Sequence, residues 1–401
     1  MVLDRQATAL VLGGGGARGA YQAGVVRAIA QHYPGLELPL LTGISAGAIN
    51  AAFLGAHSGS FATAADELAK IWLSLTPETV YRVDAGTLGR NVIRWGWRLV
   101  SGGVGIAKEP TRGFVDTSPL FQYLAQLFAA HGQAPISGID ANIKRGRLQA
   151  IALSATSYST GQSVTWVQGR DVQLWQRPQR RSALAQLTVD HVMASAALPL
   201  LFPAVHVDGE WFGDGGIRLT APLSPALHLG AARILTISTR HPRSRAEADV
   251  SQIAGYPPPA QVLGVLYNAV FLDVIDQDIL RLELINQMLS DVPKPHRNGM
   301  RRVEILVLRP SRDLGQMARQ FEPRLPTTFR FLTRGLGTRR TTSPDVLSLV
   351  MFQRDYLQAL VELGERDAES QMDRIDAFLE GASATQAAAE RRGSIPKSSQ
   401  T

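Results

Sequence analysis

Residues 40–50 read LLTGISAGAIN and place a serine between an apolar run and a run of small residues. The apolar run is typical of a buried strand, and the alanine-rich run after it is typical of a buried helix. Residues 43–47 (GISAG) therefore fit Gly-x-Ser-x-Gly, the turn that presents a nucleophilic serine at the end of a strand. At the start of a helix, Ser45 would lie where the helix dipole favours negative charge. An ordinary glycine-containing turn capped by Ser45 fits the same five residues.

A glycine-rich loop precedes this turn at residues 11–25, VLGGGGARGAYQAGV. Consecutive glycines lose backbone entropy on folding, so such a loop must need bare N–H groups or a positive φ. A dinucleotide, a nucleotide triphosphate or the oxyanion of a reaction intermediate would each use it. A triphosphate loop requires Gly-Lys-Ser/Thr, which does not follow here. A dinucleotide fingerprint is matched by Gly14, Gly16 and Gly19 with Glu37 as its acidic residue, but that interpretation leaves the serine turn unexplained.

A third motif supplies a candidate base. The pattern AVHVDGEWFGDGG predicts a hairpin with its turn at Asp208 and its second strand ending at Asp214. Because Gly215 and Gly216 follow, the carboxylate of Asp214 is expected in a tight turn with little side-chain cover. None of the eight histidines lies in a comparable glycine-flanked turn.

Apolar strand-like runs alternate with helix-like segments through the first half of the chain. The alternation predicts an α/β fold, with a mostly parallel central sheet that carries helices on both faces. Strands are predicted near residues 7–12, 148–157, 163–168, 233–239 and 301–310.

In their order along the chain, the three motifs resemble those of the patatin-like phospholipases. Residues 14–19 (GGGARG), 43–47 (GISAG) and 214–216 (DGG) carry the resemblance, and ASAALPLLFPAV at 194–205 is similar to the stretch before the aspartate motif. The resemblance covers roughly residues 8–225. It implies a variant of the α/β hydrolase fold and a serine esterase that acts on lipid esters, as a phospholipase A or lysophospholipase does, without a cofactor.

The resemblance also implies roles for individual residues. Ser45 would be the nucleophile and Asp214 its proton acceptor, in a dyad. The oxyanion hole would consist of the amides of Gly14, Gly15 and Gly16. The residues expected to support these motifs are Arg18, Gly19, Gly43, Gly47, Gly215 and Gly216. A free aspartate, with a pKa near 3.9, is a weak base, so partial burial is expected to strengthen it.

Arg18 matches the basic position of the family's glycine loop. The resemblance implies that it holds the loop in place or adds positive potential there. An ordinary surface arginine is the alternative.

We interpret the chain as three parts. Residues 8–240 form the catalytic domain, residues 260–380 form a mainly helical C-terminal region packed on it or extending it, and residues 381–401 form a disordered tail. The tail lacks large apolar residues, which is typical of disorder.

A basic segment with two tryptophans, TLGRNVIRWGWRLVSGG, occupies residues 87–103. Arg90, Arg94 and Arg98 recur every four residues and would share one ridge of a helix, with Trp95 and Trp97 on other faces. This combination is typical of a helix at the headgroup level of a membrane. A lid helix whose tryptophans cover the active site is the alternative.

Composition and missing motifs limit which partners, metal sites and locations we predict for the protein. The 401 residues include no cysteine and carry a net charge of +7, which permits attraction to anionic lipid or nucleic acid. No zinc-finger spacing or RNA-binding aromatic motif occurs, so we predict neither a nucleic-acid partner nor a metal site.

With no signal-peptide pattern and no apolar run long enough to span a bilayer, we predict a cytoplasmic protein with peripheral contact at the inner membrane surface. A catalytically silent lipid-surface or scaffold protein is the alternative function, and the oligomeric state stays open.

Overall fold

The computed structural model describes residues 7–82, 113, 115–131, 133–250, 253, 255–325, 330, 338 and 344–381. Within these residues, ten strands form one mixed sheet in the order β10-β9-β1-β2-β3-β4-β6-β5, with β8 paired to β3 and β7 to β8. The strands are β1 (Thr8–Leu12), β2 (Leu40–Ile44), β3 (Ala150–Ser157), β4 (Ser163–Gly169), β5 (Gln176–Arg177), β6 (Arg180–Leu184), β7 (Val205–Val207), β8 (Glu210–Asp214), β9 (Arg233–Ile237) and β10 (Glu304–Leu308).

Helices surround the sheet and dominate the C-terminal region. The α-helices are α1 (Gly19–His32), α2 (Ala46–Ala56), α3 (Phe61–Ser74), α4 (Pro77–Val80), α5 (Ser118–Leu127), α6 (Ser137–Arg145), α7 (Val189–Ser195), α8 (Ser224–His228), α9 (Arg245–Ala248), α10 (Pro259–Tyr267), α11 (Asp273–Asp291), α12 (Leu314–Phe321), α13 (Asp345–Val350), α14 (Arg354–Glu369) and α15 (372–381). Among the described residues, no helix is both long and apolar enough to cross a bilayer.

Five neighbouring strands, β10, β9, β1, β2 and β3, run parallel, and β4 and β8 run antiparallel to β3. Side chains alternate across a strand, so β1 contributes to both faces. Leu10 and Leu12 join the larger core, which holds residues of α1, α2 and α14. Ala9 and Val11 join the second core, which holds residues of α8 and α11. The predicted fold class is confirmed.

The C-terminal region continues the sheet and packs on the first helix. Its strand β10 pairs in parallel with β9. Helix α14 crosses α1 so closely that a Cβ on Gly24 would lie 2.1 Å from the carbonyl oxygen of Val361. The predicted boundary near residue 240 stays a prediction, and the predicted tail lies outside the described residues after residue 381.

Residues 262–289 have the apolar pattern of one long amphipathic helix, but the structure does not form one regular helix there. A π-helical segment, Asn268–Leu272, separates α10 from α11. Such segments within helices are often found at functional sites. Phe271 in this segment lies against the turn after Asp214, as described below.

The turn between β2 and α2 depends on close backbone packing. A Cβ on Gly47 would lie 2.1 Å from the carbonyl oxygen of Leu12 and 2.6 Å from that of Gly13, and a Cβ on Gly43 would lie 2.5 Å from the carbonyl oxygen of Gly47. A backbone oxygen cannot swing aside as a flexible side chain can. Glycine is therefore required at both positions for α2 to start directly behind β1.

We expect Gly47→Ala to lower the free energy of unfolding by at least about 3 kcal/mol, because the added methyl group would displace backbone in the core. Gly55→Ala, in the same helix, is the matched control. Its Cβ would meet only side-chain ends, the nearest being Ile151 Cδ1 at 3.2 Å, and alanine favours the helix by about 1 kcal/mol. Chemical denaturation of both variants tests this, and equal midpoints would contradict it.

Candidate active site

Strand register brings Ser45 and Asp214 together. Strand β2 pairs with β3 up to Ile44 opposite Ser154, and β8 pairs with β3 from Asp214 opposite Ala155. Because β4 occupies the other edge of β3, β8 lies on the same edge as β2, beyond the end of that strand. Asp214 therefore lies where β2 would continue if the chain did not turn at Ser45.

Ser45 has a backbone conformation that few residues other than glycine adopt. Its φ is 57° and its ψ is −128°, and such strain is found at functional sites where the surrounding structure enforces it. Its N–H donates to Ser195 Oγ at 3.0 Å, and Ser195 Oγ donates to the carbonyl oxygen of Ser154 at 2.6 Å. The buried hydroxyl of Ser195 thus ties the turn to β3. The strained backbone favours the nucleophilic turn over an ordinary capping turn.

The glycine loop borders Ser45 directly. A Cβ on Gly14 would lie 3.1 Å from Ser45 Cβ and 3.7 Å from its Oγ. Thr239 Oγ1, just beyond the end of β9, donates to the carbonyl oxygen of Gly14 at 2.8 Å and holds the loop. The loop then enters a 3₁₀ turn, Gly16–Arg18, and the first N–H groups of such a turn have no acceptor within it.

The other predicted glycines lie where side chains cannot fit. A Cβ on Gly19 would lie 2.5 Å from the Trp72 ring, and one on Gly215 would lie 2.1 Å from the carbonyl oxygen of Ser154. A Cβ on Gly216 would lie 2.3 Å from the ring of Phe271, in the π-helical segment. The turn after Asp214 is therefore closely covered, and Asp214 itself is 0% exposed, so the expectation of little side-chain cover is wrong.

Arg18 is buried and reaches residues of the C-terminal region. Its side chain is 3% exposed, so it is not a surface arginine. Its Nη2 pairs with Asp345 Oδ1 at 2.6 Å, and its Nε donates to Ser348 Oγ at 2.7 Å. This geometry favours the first expected role, holding the loop in place.

The Asp214 carboxylate is buried in surroundings that disfavour its charge. Its Oδ1 accepts a hydrogen bond of 2.9 Å from the N–H of Gly216. Its Oδ2 has no hydrogen-bond partner of normal geometry among the described residues. Burial raises the pKa of Asp214 to about 7, against smaller lowering effects of the Ser45 hydroxyl and the Gly216 N–H. An aspartate with this pKa is a far better proton acceptor near neutral pH than a free one.

No histidine side chain hydrogen-bonds to Ser45 or Asp214 in the described part of the chain, which includes all eight histidines. His191 is buried, lies 2.8 Å from Thr188 Oγ1 through its Nδ1, and packs edge-on against Trp166. Burial lowers the pKa of His191 to about 4. His206 packs against Trp211 on the hairpin.

The site is closed to bulk solvent. Ser45 is 2% exposed and Asp214 is 0% exposed. Two narrow cavities of about 30 Å³ flank the pair. One is bordered by the glycine loop, Gly216 and Phe271, and the other is an apolar cavity lined by Trp72 and Phe352 among others. Ligand pockets are usually about 300–1,000 Å³, so a ligand of ordinary size requires this site to open.

The dinucleotide interpretation does not fit this geometry. Glu37 is exposed and precedes β2, whereas the glycine loop follows β1. Because β1 and β2 are parallel, Glu37 lies at the amino ends of these strands and the loop lies at their carboxyl ends. Glu37 therefore cannot contact a ligand held by the loop.

Sequence reasoning missed several residues around the site. Ser195, Thr239, Phe271 and Asp345 all contact the predicted motifs, as described above. Ser195 lay in the stretch at residues 194–205 and Thr239 in the strand predicted at residues 233–239, but neither was assigned a contact with the motifs. The segment predicted to meet a membrane, with Arg90, Arg94, Trp95, Trp97 and Arg98, lies outside the described residues.

Comparison with known proteins agrees with the three motifs. A family model for patatin-like phospholipases matches residues 10–227, which is more than half of the chain. No similar sequence was found among curated proteins.

Two solved structures are similar to this chain at low sequence identity. Human GIVD cytosolic phospholipase A2 is 11% identical, with 95% of this chain and 61% of that chain covered and a TM-score of 0.45. VipD from Legionella pneumophila is 12% identical, with 89% of this chain and 67% of that chain covered and a TM-score of 0.33. This chain thus spans about three fifths of the human chain and two thirds of VipD.

The raised pKa of Asp214 makes stability depend on pH. Between the ordinary value of 3.8 and about 7, the folded state keeps a proton that the unfolded state releases. The stability that this proton contributes is fully present below pH 3.8 and is lost as pH rises through about 7. Asp214→Asn removes this dependence. We therefore expect the variant to gain stability relative to the parent from pH 4 to pH 8, by on the order of 4 kcal/mol.

Denaturant unfolding of both proteins across this pH range measures the difference. Ser74→Ala, at an exposed position of α3, is the control: the substitution removes no titratable group, so its difference from the parent should be the same at every pH. A constant difference between Asp214→Asn and the parent at all pH values would contradict the account of the buried carboxylate.

Proposed function

Because this chain belongs to the patatin-like phospholipase family, we propose that it is a serine lipid acyl hydrolase with a Ser45–Asp214 dyad. Family membership indicates a lipid hydrolase. The dyad rests on one observation above all: the strained turn at Ser45 adjoins a buried carboxylate whose pKa is raised by burial and lowered in part by the Ser45 hydroxyl. A nucleophile next to a base is the arrangement that covalent catalysis requires.

In the first step, Ser45 Oγ attacks the carbonyl carbon of the lipid ester. Asp214 Oδ2 takes the hydroxyl proton as the new C–O bond forms, and the carbonyl oxygen becomes an oxyanion. The N–H groups of Gly14, Gly15 and Gly16 donate to that oxyanion. Donors already in position for charge that appears only in the transition state act on kcat.

The tetrahedral intermediate then collapses and expels the alcohol or lysolipid. The proton held by Asp214 passes to the leaving oxygen, and the acyl group stays on Ser45. Water attacks this acyl-enzyme and loses its proton to Asp214. The second tetrahedral intermediate then expels Ser45 Oγ, which takes that proton back from Asp214 as the fatty acid leaves. One carboxyl group thus serves as base and acid in turn, so the cycle needs no histidine and no cofactor.

The acyl chain is proposed to occupy the apolar cavity beside Ser45. Its lining includes Ile49, Trp72, Phe202 and Phe352, and it suits hydrocarbon better than a polar group. The headgroup would lie on the solvent side of the pair. Peripheral contact with a cytoplasmic membrane surface, through the Arg90–Arg98 segment, completes the proposal and explains how a water-insoluble substrate arrives.

We expect purified protein to hydrolyse a short p-nitrophenyl ester, and Ser45→Ala to lower kcat/KM by at least about 10³-fold, because the nucleophile is lost. Asp214→Asn should lose nearly as much, since an amide of the same shape cannot accept the proton. His191→Gln and His206→Gln should keep most activity. The measurement is the initial rate with each variant at matched concentration.

Ser74→Ala, which alters an exposed serine of α3, is the control and should match the parent. A fluorophosphonate probe should label the parent at Ser45, identified by mass spectrometry. A catalytically silent scaffold would neither hydrolyse the ester nor become labelled. A loss in a histidine variant equal to that of Asp214→Asn would show a triad and overturn the dyad.

A further inference from the structure

We propose that Asp345, together with Asn268, is a positioning residue that holds the glycine loop in its oxyanion-binding geometry. The inference rests on the proposed function and adds residues that lie beyond the matched family region, residues 10–227. It makes part of the C-terminal region a component of the active site.

The first link joins Asp345 to the glycine loop. Asp345 Oδ1 pairs with Arg18 Nη2 at 2.6 Å, and both side chains are buried. Ser348 Oγ, also buried, accepts from Arg18 Nε at 2.7 Å and donates to the carbonyl oxygen of Asp345 at 2.6 Å. Arg18 ends the 3₁₀ turn that begins at Gly16, so its guanidinium anchors that turn to α13 through two of its donors.

Close backbone packing against α13 at the start of the same turn leaves the glycine loop little freedom to move. Gly16 has φ +54°, and a Cβ there would lie 2.1 Å from the carbonyl oxygen of Leu349. Helix α13 therefore supports the loop from behind at both Gly16 and Arg18. A displacement of α13 would move the amides that are proposed to bind the oxyanion.

The second link joins Asp345 to the segment that covers the site. Its other oxygen, Oδ2, accepts from Asn268 Nδ2 at 2.6 Å. Asn268 begins the π-helical segment whose Phe271 ring lies over Gly216, next to Asp214. One carboxylate thus connects the glycine loop with the segment that covers the turn after Asp214.

Stability alone does not explain this network. A buried ion pair is often no more stabilising than apolar residues of similar size. Its fixed geometry is useful where small displacements matter, and misplacing a catalytic group by about 1 Å can reduce the rate about 10²-fold. An oxyanion hole requires such fixed geometry, because its N–H donors must already be in position when the oxyanion forms.

The main test is Asp345→Asn, with kcat and KM measured on a soluble p-nitrophenyl ester. We expect kcat to fall about 10- to 100-fold while KM changes less than about threefold, because the loop acts in the transition state. Asn268→Ala should lower kcat in the same direction by a smaller factor. Glu365→Gln is the matched control, since Glu365 pairs with Arg27 between α14 and α1, away from the loop. Its kcat should stay within about twofold of the parent.

A double variant separates positioning from stability. Arg18→Met with Asp345→Leu removes both charges, so the melting temperature should return toward that of the parent. The positioning role predicts that kcat of the double variant stays at least about tenfold low. A merely structural role predicts that kcat recovers with stability, and that result would overturn the proposal. If Asp345→Asn does not fold, Asn268→Ala and the double variant decide.

Two outcomes distinguish this inference from the proposed function. A parent that neither hydrolyses the ester nor reacts with a fluorophosphonate would overturn both. An active parent with a folded Asp345→Asn variant whose kcat is within about threefold would overturn only the role of Asp345.

Discussion

The close approach of α2 to the end of β1 is the constraint on which the rest of the structure depends. The backbone of Gly47 lies so near the carbonyl oxygens of Leu12 and Gly13 that no side chain fits between them. The chain can reach this position only by turning sharply at Ser45, which has a φ of 57°. The same contact brings the start of the glycine loop beside the serine. One backbone contact therefore sets the position of the proposed nucleophile relative to its proposed oxyanion donors.

Burial then determines the chemistry available to this geometry. Asp214 lies at the end of β8 with no exposed surface, and its Oδ2 has no hydrogen-bond partner of normal geometry among the described residues. Desolvation disfavours its charge and raises its pKa to about 7. The folded state is less stable at high pH as a result, because a charged carboxylate must stay buried. A proton acceptor of suitable strength is obtained in return, and this is why the proposed mechanism needs no histidine.

Local motifs allowed much of the candidate site to be predicted. Glycines at fixed spacing identify the turn at residues 43–47 and the turn after Asp214. The hairpin turn has Asp208 and Gly209 at positive φ, as expected. Partners distant in sequence could not be predicted. Asp345 lies 327 residues from Arg18, and no periodicity or spacing indicates which distant carboxylate reaches a buried arginine. The π-helical segment was also missed, because its apolar pattern is that of an ordinary amphipathic helix.

The central claim is that the Asp214 carboxylate alone activates Ser45. The rate at which a fluorophosphonate labels Ser45, measured from pH 5 to pH 9, tests this most directly, because it requires no lipid and no turnover. The account predicts a rate that rises with pH and levels off above an apparent pKa of about 7, with a slow and nearly pH-independent rate in Asp214→Asn. An unchanged profile in Asp214→Asn, or an inflection abolished by replacing one histidine, would contradict it.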